Sequence, residues 1–446
     1  MERGQNGRTL GTMRSYRLDR MKILSDLAGN PETCAPAIHV AGSKGKGSVT
    51  GMTASILNTA KLLCSSYSSP HVMDFRERLS LGKHFFDEAT YYNAGNELKH
   101  ITEEIINSKI PEYIIFQKGN ESGEEPSFFE LMTLWFFLCS RHANVNAMAV
   151  ETGLGGRLDA TNILDPLVSV ITIIELEHTE ILGSTIPEIA GEKAGIIKKS
   201  RPVIVAKQKN EALEVFLKKA KEIESPLFYF PEWGEISNIK VKKEGTLFDF
   251  KLKNPINRGI HLIKDLFLNI PGEIQTENAG LAILACKIAF PDIPENIFKK
   301  AFEDFNIPAR FQRIFIDPVL IIDGAHTCRS IENCVDTFSS LYGNGGILLF
   351  GCAEGKDVKA MANTILQCFS RIIITTPGNF KKSSPDYVYA IFDNLASQLK
   401  PGPEIIFIPE TEKAISRALE LGKDLNLPIL GAGSFYLAAE ILKTCG

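Results

Sequence analysis

The stretch His39-Val40-Ala41-Gly42-Ser43-Lys44-Gly45-Lys46-Gly47-Ser48 decides the fold of the first part of the chain. A short apolar run over residues 35–41 leads into it, which favours a strand. Apolar residues then recur at helical spacing, at Val49, Met52, Ile56, Ala60 and Leu63. A strand, a glycine-rich loop and a helix in this order predict a phosphate-binding loop, although the same loop without that context would be as consistent with an ordinary glycine turn.

Each part of this loop suits a nucleotide phosphate. Gly42, Gly45 and Gly47 allow backbone N–H groups to turn toward phosphate oxygens, and the helix adds the positive end of its dipole. Lys46 would reach the β and γ phosphates, and the Ser48 hydroxyl could ligate Mg²⁺. Because Gly47 separates the lysine from the hydroxyl, the loop departs from the usual Gly-x-x-x-x-Gly-Lys-[Ser/Thr] pattern.

Composition limits the class of protein and its partners. A chain of 446 residues predicts two domains. A net charge of −4 without a long basic block argues against nucleic acid or an anionic membrane as a partner. Nine cysteines without Cys-x-x-Cys spacing indicate reduced thiols rather than disulfides or a zinc site. The first residues lack a secretory signal and the longest apolar stretch, near 134–139, cannot span a bilayer, so we expect a cytoplasmic protein.

The pattern of apolar runs predicts an α/β protein. Strand-like runs at 145–150, 168–174 and 202–206 alternate with helical patterns, which favours a mostly parallel sheet. Residues 227–270 alternate in the manner of hairpins, which we expect to be appended to that sheet. A second strand–helix series follows. We therefore predict a P-loop ATPase domain with a small β patch over residues 1–300 and a smaller Rossmann-like α/β domain over residues 306–446.

Polar residues that directly follow apolar strands mark the edge where ligands of open α/β sheets gather. Glu151 follows the run 147–150 and could be the acidic partner of Mg²⁺ beside a nucleotide loop. His178 follows the run 168–174 and is a second candidate for a cation or a proton. Taken singly, a carboxylate after a strand is more often a helix cap, and a lone histidine is more often a hydrogen-bonding residue.

Ordered motifs along nearly the whole chain resemble those of the folylpolyglutamate synthase/dihydrofolate synthase family, a branch of the Mur ligase superfamily. That family has His-Val-Ala-Gly-Thr-Asn-Gly-Lys-Gly-Ser at the loop, and this chain differs from it there only at Ser43 and Lys44. The other matching segments are Ser69-Pro70-His71, Phe75-Arg76-Glu77-Arg78, Phe129-Glu130, Glu151 through Asn162, His178 through Gly183, Glu192 through Lys198, Arg310-Phe311, Asp323-Gly324-Ala325-His326 and Gly433 through Leu437.

The resemblance implies ATP-dependent amide ligation, with the catalytic roles falling on Lys46, His178 and Lys193. Two Mg²⁺ ions are implied, with Ser48, Ser69, Glu151 and His178 as metal ligands. Lys193 would be carbamylated, which turns its ammonium into a carboxylate-like ligand. ATP would lie in a cleft between the domains, in contact with Gly42, Gly45, Lys46, Gly47, Ser48, Asn278, Arg310, Asp323 and His326.

The same resemblance implies a site for the pteridine of a folate or dihydropteroate. The segment Leu18-Asp19-Arg20 is similar to the family's Leu-Glu-Arg, and the segments 127–130 and 154–159 would line the pocket. Residues 74–78 are expected to form a mobile loop next to the metals. The implied acceptor contacts are Arg20, Phe129, Glu130, Gly155, Arg157 and Asp159.

Three departures from the family pattern concern the choice of substrate. Lys44 replaces asparagine, Glu177 replaces the aspartate before the metal histidine, and Thr327 replaces the asparagine after Asp-Gly-Ala-His. Two alternatives to folate ligation remain at this stage: a Mur-type ligase with a non-folate acceptor, and a non-catalytic nucleotide-binding paralogue. We expect a monomer whose partners are small molecules, namely ATP, L-glutamate and a folate or dihydropteroate.

Overall fold

The computed structural model describes residues 10–108, 110–116, 125–254, 262–378 and 380–445. In this part of the chain the first sheet has seven strands in the order β3-β2-β4-β1-β5-β6-β7, and all neighbours are parallel except β2 and β3. Its strands are β1 (Ala37–Ala41), β2 (Cys64–Tyr67), β3 (Leu79–Ser80), β4 (Ala147–Glu151), β5 (Val168–Ile171), β6 (Val203–Val205) and β7 (Leu227–Tyr229).

Helices cover both faces of this sheet, because successive side chains of a strand point to opposite faces and both sets are apolar here. On one face Ile38 and Val40 of β1 pack with residues of the two helices over 46–59 and 273–289. On the other face Met148 and Val150 of β4 pack with the helix over 128–142. The helices are α1 (Leu10–Leu27), α2 (Lys46–Thr59), α3 (Glu88–Asn107), α4 (Phe128–His142), α5 (Thr179–Leu182), α6 (Ile186–Lys193), α7 (Asn210–Glu222), α8 (Phe230–Trp233), α9 (Glu273–Ala289) and α10 (Glu295–Glu303).

The β patch differs from the sequence-based expectation. Only β7 joins the main sheet, whereas β8 (Gly234–Lys242), β9 (Gly245–Leu252) and β10 (Leu262–Leu268) form a separate antiparallel sheet. The alternating pattern correctly predicts strands there. It does not show that their apolar side, which includes Phe248 and Leu266, packs in the same core as α9 and α10.

A third sheet lies beyond residue 311, with the order β11-β12-β16-β13-β14-β15 among the described residues. All its neighbours are parallel except β11 and β12. Its strands are β11 (Gln312–Ile316), β12 (Val319–Ile322), β13 (Gly346–Phe350), β14 (Phe369–Ile374), β15 (Glu404–Phe407) and β16 (Ile429–Ala432). The helices around it are α11 (Cys328–Tyr342), α12 (Val358–Ile365), α13 (Pro385–Ala396), α14 (Thr411–Leu425) and α15 (Phe435–Cys445).

The two parallel sheets confirm the predicted α/β class with a Rossmann-like second part. Strands β2, β3 and β11 were not predicted from the sequence, because they are short or lie at a sheet edge. Helix α2 begins at Lys46, as the loop pattern predicts, but ends at Thr59, so Leu63 lies outside it. In the described parts of the chain, no helix has the length and apolar character needed to cross a membrane.

Candidate active site

The phosphate loop connects β1 to α2 and is held in shape by two glycines. Gly42 has a φ of 148° and Gly45 a φ of 89°, which side-chain-bearing residues rarely adopt. A Cβ on Gly42 would overlap the hydroxyl of Thr172, and one on Gly45 would lie 2.5 Å from Asn278 Oδ1. The start of α2 has no side-chain cap, so its first N–H groups are available to an anion.

Lys46 is the first residue of α2 and folds back over the loop. Its Nζ donates a hydrogen bond of 2.9 Å to the carbonyl oxygen of Gly42. Ser48 follows one residue after Gly47 and is almost completely buried. The lysine and the hydroxyl therefore lie where the sequence analysis placed them, at the junction of loop and helix.

Glu151 is delivered to this loop by the end of β4. Its Oε2 accepts the backbone N–H of Ser69 at 3.2 Å and would lie 3.3 Å from a Cβ on Gly47. Burial raises the pKa of Glu151 to about 7, against the opposing effect of the Lys46 ammonium. Among the described residues none forms a close ion pair with this carboxylate, so a buried acid borders the phosphate loop with Lys46 and Arg310 only in electrostatic range.

Lys193 ends α6 and is completely buried behind the same loop. Its Nζ donates to the carbonyl oxygen of Gly42 at 2.7 Å and to Glu177 Oε1 at 3.0 Å. Burial lowers the pKa of Lys193 to about 8, and the neighbouring Lys46 ammonium adds to this effect. Lys44 Nζ lies 3.6 Å from the other oxygen of Glu177, so one carboxylate serves two lysines.

His178 precedes α5 in a left-handed conformation, with a φ of 47°. Its side chain is half exposed, and Nδ1 lies 3.9 Å from Glu180. Partial burial lowers the pKa of His178 in spite of the carboxylates of Glu177 and Glu180. This shift favours the neutral imidazole, the form that can donate a lone pair to a metal.

The third sheet, β11–β16, and the residues next to it form the opposite wall of the site. Asp323 follows β12 directly, and its carboxylate accepts the backbone N–H groups of Phe311 and Ala325 at 2.8 and 2.7 Å. The Arg310 guanidinium lies 4.3 Å from the centre of the Phe435 ring. His326 Nδ1 lies 2.8 Å from the carbonyl oxygen of Gly324, which indicates that Nδ1 carries the proton.

Both walls face one cavity. It is lined from the first part of the chain by Lys44, Gly45, Ser48 and Asn278, and from the second part by Arg310, Asp323, His326 and Arg329. Arg329 Nη1 also reaches Glu175 Oε1 across the cleft, at 3.1 Å. Arg329 and Glu175 were not among the site residues predicted from the sequence. Arg329 could have been noticed only as a charge in the first turn of α11, and Glu175 only as an acid near the end of β5.

The residues assigned to the acceptor pocket lie on the α4 side of the sheet. Arg20 and Glu130 are both buried and form a two-pronged ion pair, with Nε–Oε1 at 2.9 Å and Nη2–Oε2 at 3.1 Å. The ring of Phe116 lies 4.7 Å from the guanidinium carbon. Glu130 also accepts the N–H of Ser127 and so completes the capping box of α4. Their contact with a substrate stays a prediction.

Removing one member of this buried pair should destabilise the protein strongly. We expect Arg20→Met to lower the free energy of unfolding by about 3–5 kcal/mol, because Glu130 would keep its charge without a counterion. The matched control is Arg201→Met, which breaks an exposed pair with Asp165 and should cost about 1 kcal/mol or less. Urea denaturation measures both. Equal losses in the two variants would show that the buried pair does not stabilise the fold in this way.

The glycine-rich loop after β4 is anchored at several points. Asp159 accepts the N–H of Leu154 at 2.9 Å and the hydroxyl of Thr161 at 2.6 Å. Arg157 Nη2 donates to Glu192 Oε1 at 2.8 Å, which ties the loop to the residue before Lys193. Gly155 lies in the turn of this loop, in which Leu154 is half-buried. Phe129, the second residue of α4, lies next to it, with its ring tilted against that of Tyr67.

The segment 74–78 also lies on this side. Phe75–Arg78 form a single 3₁₀ turn, capped by Asp74 and Glu77 in a capping box. Arg78 Nε donates to His71 Nδ1 at 2.8 Å and its guanidinium lies 5.6 Å from the Phe128 ring. The predicted mobility of this segment stays a prediction. Phe128 is half exposed rather than part of the core.

Comparison with known proteins agrees with this architecture. The model of the Mur ligase middle domain matches residues 98–286, and that of the Mur ligase, glutamate ligase domain matches residues 309–435. With a phosphate loop facing a second α/β unit, these matches define an ATP-dependent amide ligase of the Mur ligase type.

Individual relatives narrow the family. The chain is 30% identical over 434 residues to the dihydrofolate synthase/folylpolyglutamate synthase of Bacillus subtilis, which covers 96% of this chain and 94% of that protein. The crystal structure of a folylpolyglutamate synthase from Thermotoga maritima superimposes with a TM-score of 0.80 at 26% identity, covering 96% and 93% of the two chains. A structure described as an FPGS–AMPPCP–folate complex superimposes with a TM-score of 0.76 at 25% identity, covering 99% of this chain and 97% of that one. The chain belongs to the folylpolyglutamate synthase/dihydrofolate synthase family.

Proposed function

We propose that this enzyme adds L-glutamate to a carboxylate of a folate or of dihydropteroate, with ATP as the energy source and ADP and phosphate as products. The observation that carries the proposal is the shared cavity, in which the phosphate loop of one α/β unit faces Arg310 and Asp323 of the other. A reaction that must activate one substrate and then admit a second is served by a site between two units that can close. We assign residues 1–300 and 306–446 to these units.

The nucleotide would be bound from both sides. The loop N–H groups and Lys46 would hold the β and γ phosphates, and Arg310 offers a planar fork that matches phosphate oxygens. Asn278 lies against Gly45 and Asp323 is fixed by two backbone N–H groups, so both are rigid partners for the nucleotide. His326 lines the same cavity. We assign nucleotide contacts to Gly42, Gly45, Lys46, Gly47, Ser48, Asn278, Arg310, Asp323 and His326.

The residues around the loop fit magnesium. Within the described ranges, no three His, Cys, Asp or Glu side chains cluster as a self-contained metal site. Mg²⁺ in nucleotide enzymes needs fewer, because phosphates and water complete its shell. Glu151, a buried acid without a close ion-pair partner among the described residues, would supply the required charge. We assign Ser48, Ser69, Glu151 and His178 to two ions. When bound, the metal would offset charge on the transferred phosphoryl group.

Lys193 suits a carbamate. Complete burial lowers the pKa of Lys193 to about 8, which raises the fraction of neutral amine at neutral pH above that of an ordinary lysine. The amine nitrogen can then form a bond to the carbon of CO₂ and release a proton. The loop carbonyl of Gly42 at 2.7 Å directs the nitrogen toward the phosphate site. Native mass spectrometry in bicarbonate buffer should show one added CO₂ that is absent from Lys193→Ala. A wild-type chain that shows no CO₂ adduct in the same buffer would refute the assignment.

The chemistry proceeds in two displacements. An oxygen of the acceptor carboxylate attacks the γ-phosphorus and the bond to ADP breaks, which gives an acyl phosphate. The glutamate amine then attacks the acyl carbon, loses a proton, and phosphate leaves. The chain contributes positioning and positive charge, from Lys46 and Arg310, rather than covalent chemistry. The acceptor would be held by Arg20, Phe129, Glu130, Gly155, Arg157 and Asp159.

The decisive assay supplies the purified chain with Mg-ATP, L-glutamate and either dihydropteroate or tetrahydrofolate. Mass spectrometry should show one or more glutamyl units added to at least one acceptor, with one ADP released for each unit. Omission of glutamate or of the acceptor is the matched control and should stop product formation. ATP binding without acceptor-dependent ADP release would instead indicate a non-catalytic paralogue. Activity only with a carboxylate that lacks a pteridine would indicate another Mur-type ligase.

We propose that the enzyme acts as a monomer in the cytoplasm. One chain supplies both walls of the cavity, so a second copy is not needed to complete it. All nine cysteines are free thiols, which suits a reducing compartment. Light scattering at assay concentration should give the mass of a single chain.

A further inference from the structure

Two departures from the family's sequence pattern, Lys44 and Glu177, lie side by side in the structure. Lys44 is in the phosphate loop, whereas Glu177 follows β5 at a distant point of the chain. Their charged atoms are 3.6 Å apart, and the Lys44 side chain is only about a quarter exposed. A distance of 3.6 Å is an ion pair but not a hydrogen bond, so Glu177 attracts Lys44 without fixing it.

Further charged groups surround this pair. Glu177 already accepts a hydrogen bond of 3.0 Å from Lys193, and Lys46 lies within electrostatic range of Glu177 and of Lys44. Lys44 and Lys46 stay cationic when Lys193 carries a carbamate, and Glu175 is a second carboxylate within electrostatic range of Lys44. An anion placed next to Lys44 and Lys46 would be favoured, since the fields of the two cations add up in a partly buried site.

Lys44 also faces the cavity. It lines the cavity together with Ser48 of α2 and with His326 and Arg329 of the second unit. Arg329 is engaged by Glu175 at 3.1 Å, so it is less available to a ligand than Lys44. A lysine side chain has four rotatable carbon–carbon bonds, and Nζ can turn from Glu177 to a nearby anion at little cost.

We propose that Lys44 contacts the terminal phosphate of ATP and makes this enzyme prefer nucleoside triphosphate over diphosphate. Glu177 holds the ammonium beside the loop until the nucleotide arrives. The longer side chain of glutamate, compared with the aspartate of the family pattern, provides the reach to do so. This assignment rests on the proposed function, because it takes the loop to be an ATP site.

The test compares affinities for AMPPCP and ADP, measured by titration calorimetry on the full chain with Mg²⁺. Lys44→Asn, which introduces the family's residue, should weaken AMPPCP binding about tenfold and ADP binding less than about twofold, because only AMPPCP has a third phosphate. Lys44→Arg keeps the charge and should retain the preference. Raising the salt concentration should weaken AMPPCP binding less in Lys44→Asn than in the wild type.

The possible outcomes distinguish the role of Lys44 from the existence of the ATP site. Equal losses for both nucleotides in Lys44→Asn, or no loss for either, would overturn the role of Lys44 and leave the ATP site in place. Loss of preference in Lys44→Arg as well would also contradict it, since the charge is then not the cause. If the wild-type chain bound neither nucleotide, the proposed function itself would fail.

Discussion

Replacing Lys46 with alanine should abolish ADP formation and leave the fold intact. Lys46 Nζ is the ammonium carried by the helix that receives the phosphates, and its bond to the Gly42 carbonyl shows that it already lies over the loop. Without it, the charge that develops on the γ-phosphoryl oxygens loses a fixed counterion. Removing a fixed cation that stabilises the transferred phosphoryl group lowers turnover on the order of 10³-fold.

The stability of this variant should change little. The bond to Gly42 is only partly buried, so its loss should cost about 1 kcal/mol. Lys218→Ala, on an exposed position of α7, is the matched control and should keep full activity. Steady-state ADP release and a thermal melt measure the two effects. Turnover near that of the control would contradict the assignment of the loop.

Replacing Arg310 should cause the second large loss, because it removes the main cation of the opposite wall. The guanidinium is held over the Phe435 ring and lies within electrostatic range of Asp323 and Glu151. We expect Arg310→Ala to lower kcat/KM for ATP by about 10²–10³-fold. Arg310→Lys should recover part of this, because a point charge remains but the two-pronged contact is lost.

A control for this experiment is Arg417→Ala, which removes an exposed arginine of α14 that pairs along its own helix with Glu420. It should leave the kinetics unchanged. If Arg310→Ala had the kinetics of this control, the nucleotide would be bound by the first unit alone. The proposed two-sided site would then be wrong.

The local signals in the sequence predict part of this site well. A strand, a glycine loop and a helix can be read from spacing, and the structure places Gly42, Gly45 and Lys46 accordingly. Glu151 and Asp323 each follow an apolar run, and parallel strands bring such residues to one edge of their sheet. That the two parallel sheets face each other across the site is not a local signal. It was predicted only from the resemblance to a family.

What the sequence could not show are contacts between distant charges. The pairing of Lys44 with Glu177, of Glu175 with Arg329 and of Arg20 with Glu130 depends on how elements pack. The separate sheet of β8–β10 has the same origin, since alternation predicts a strand but not its neighbours. Each of these features arises from tertiary structure, where residue type restricts the possible partners without selecting among them.

The most direct test of ligation through an acyl phosphate follows the oxygens of the acceptor carboxylate. The acceptor is labelled with ¹⁸O in its carboxylate and incubated with the full chain, Mg-ATP and L-glutamate. Each glutamyl unit formed should be accompanied by one phosphate carrying a single ¹⁸O, because the oxygen that attacks phosphorus leaves with it. Product formed together with unlabelled phosphate would contradict the account.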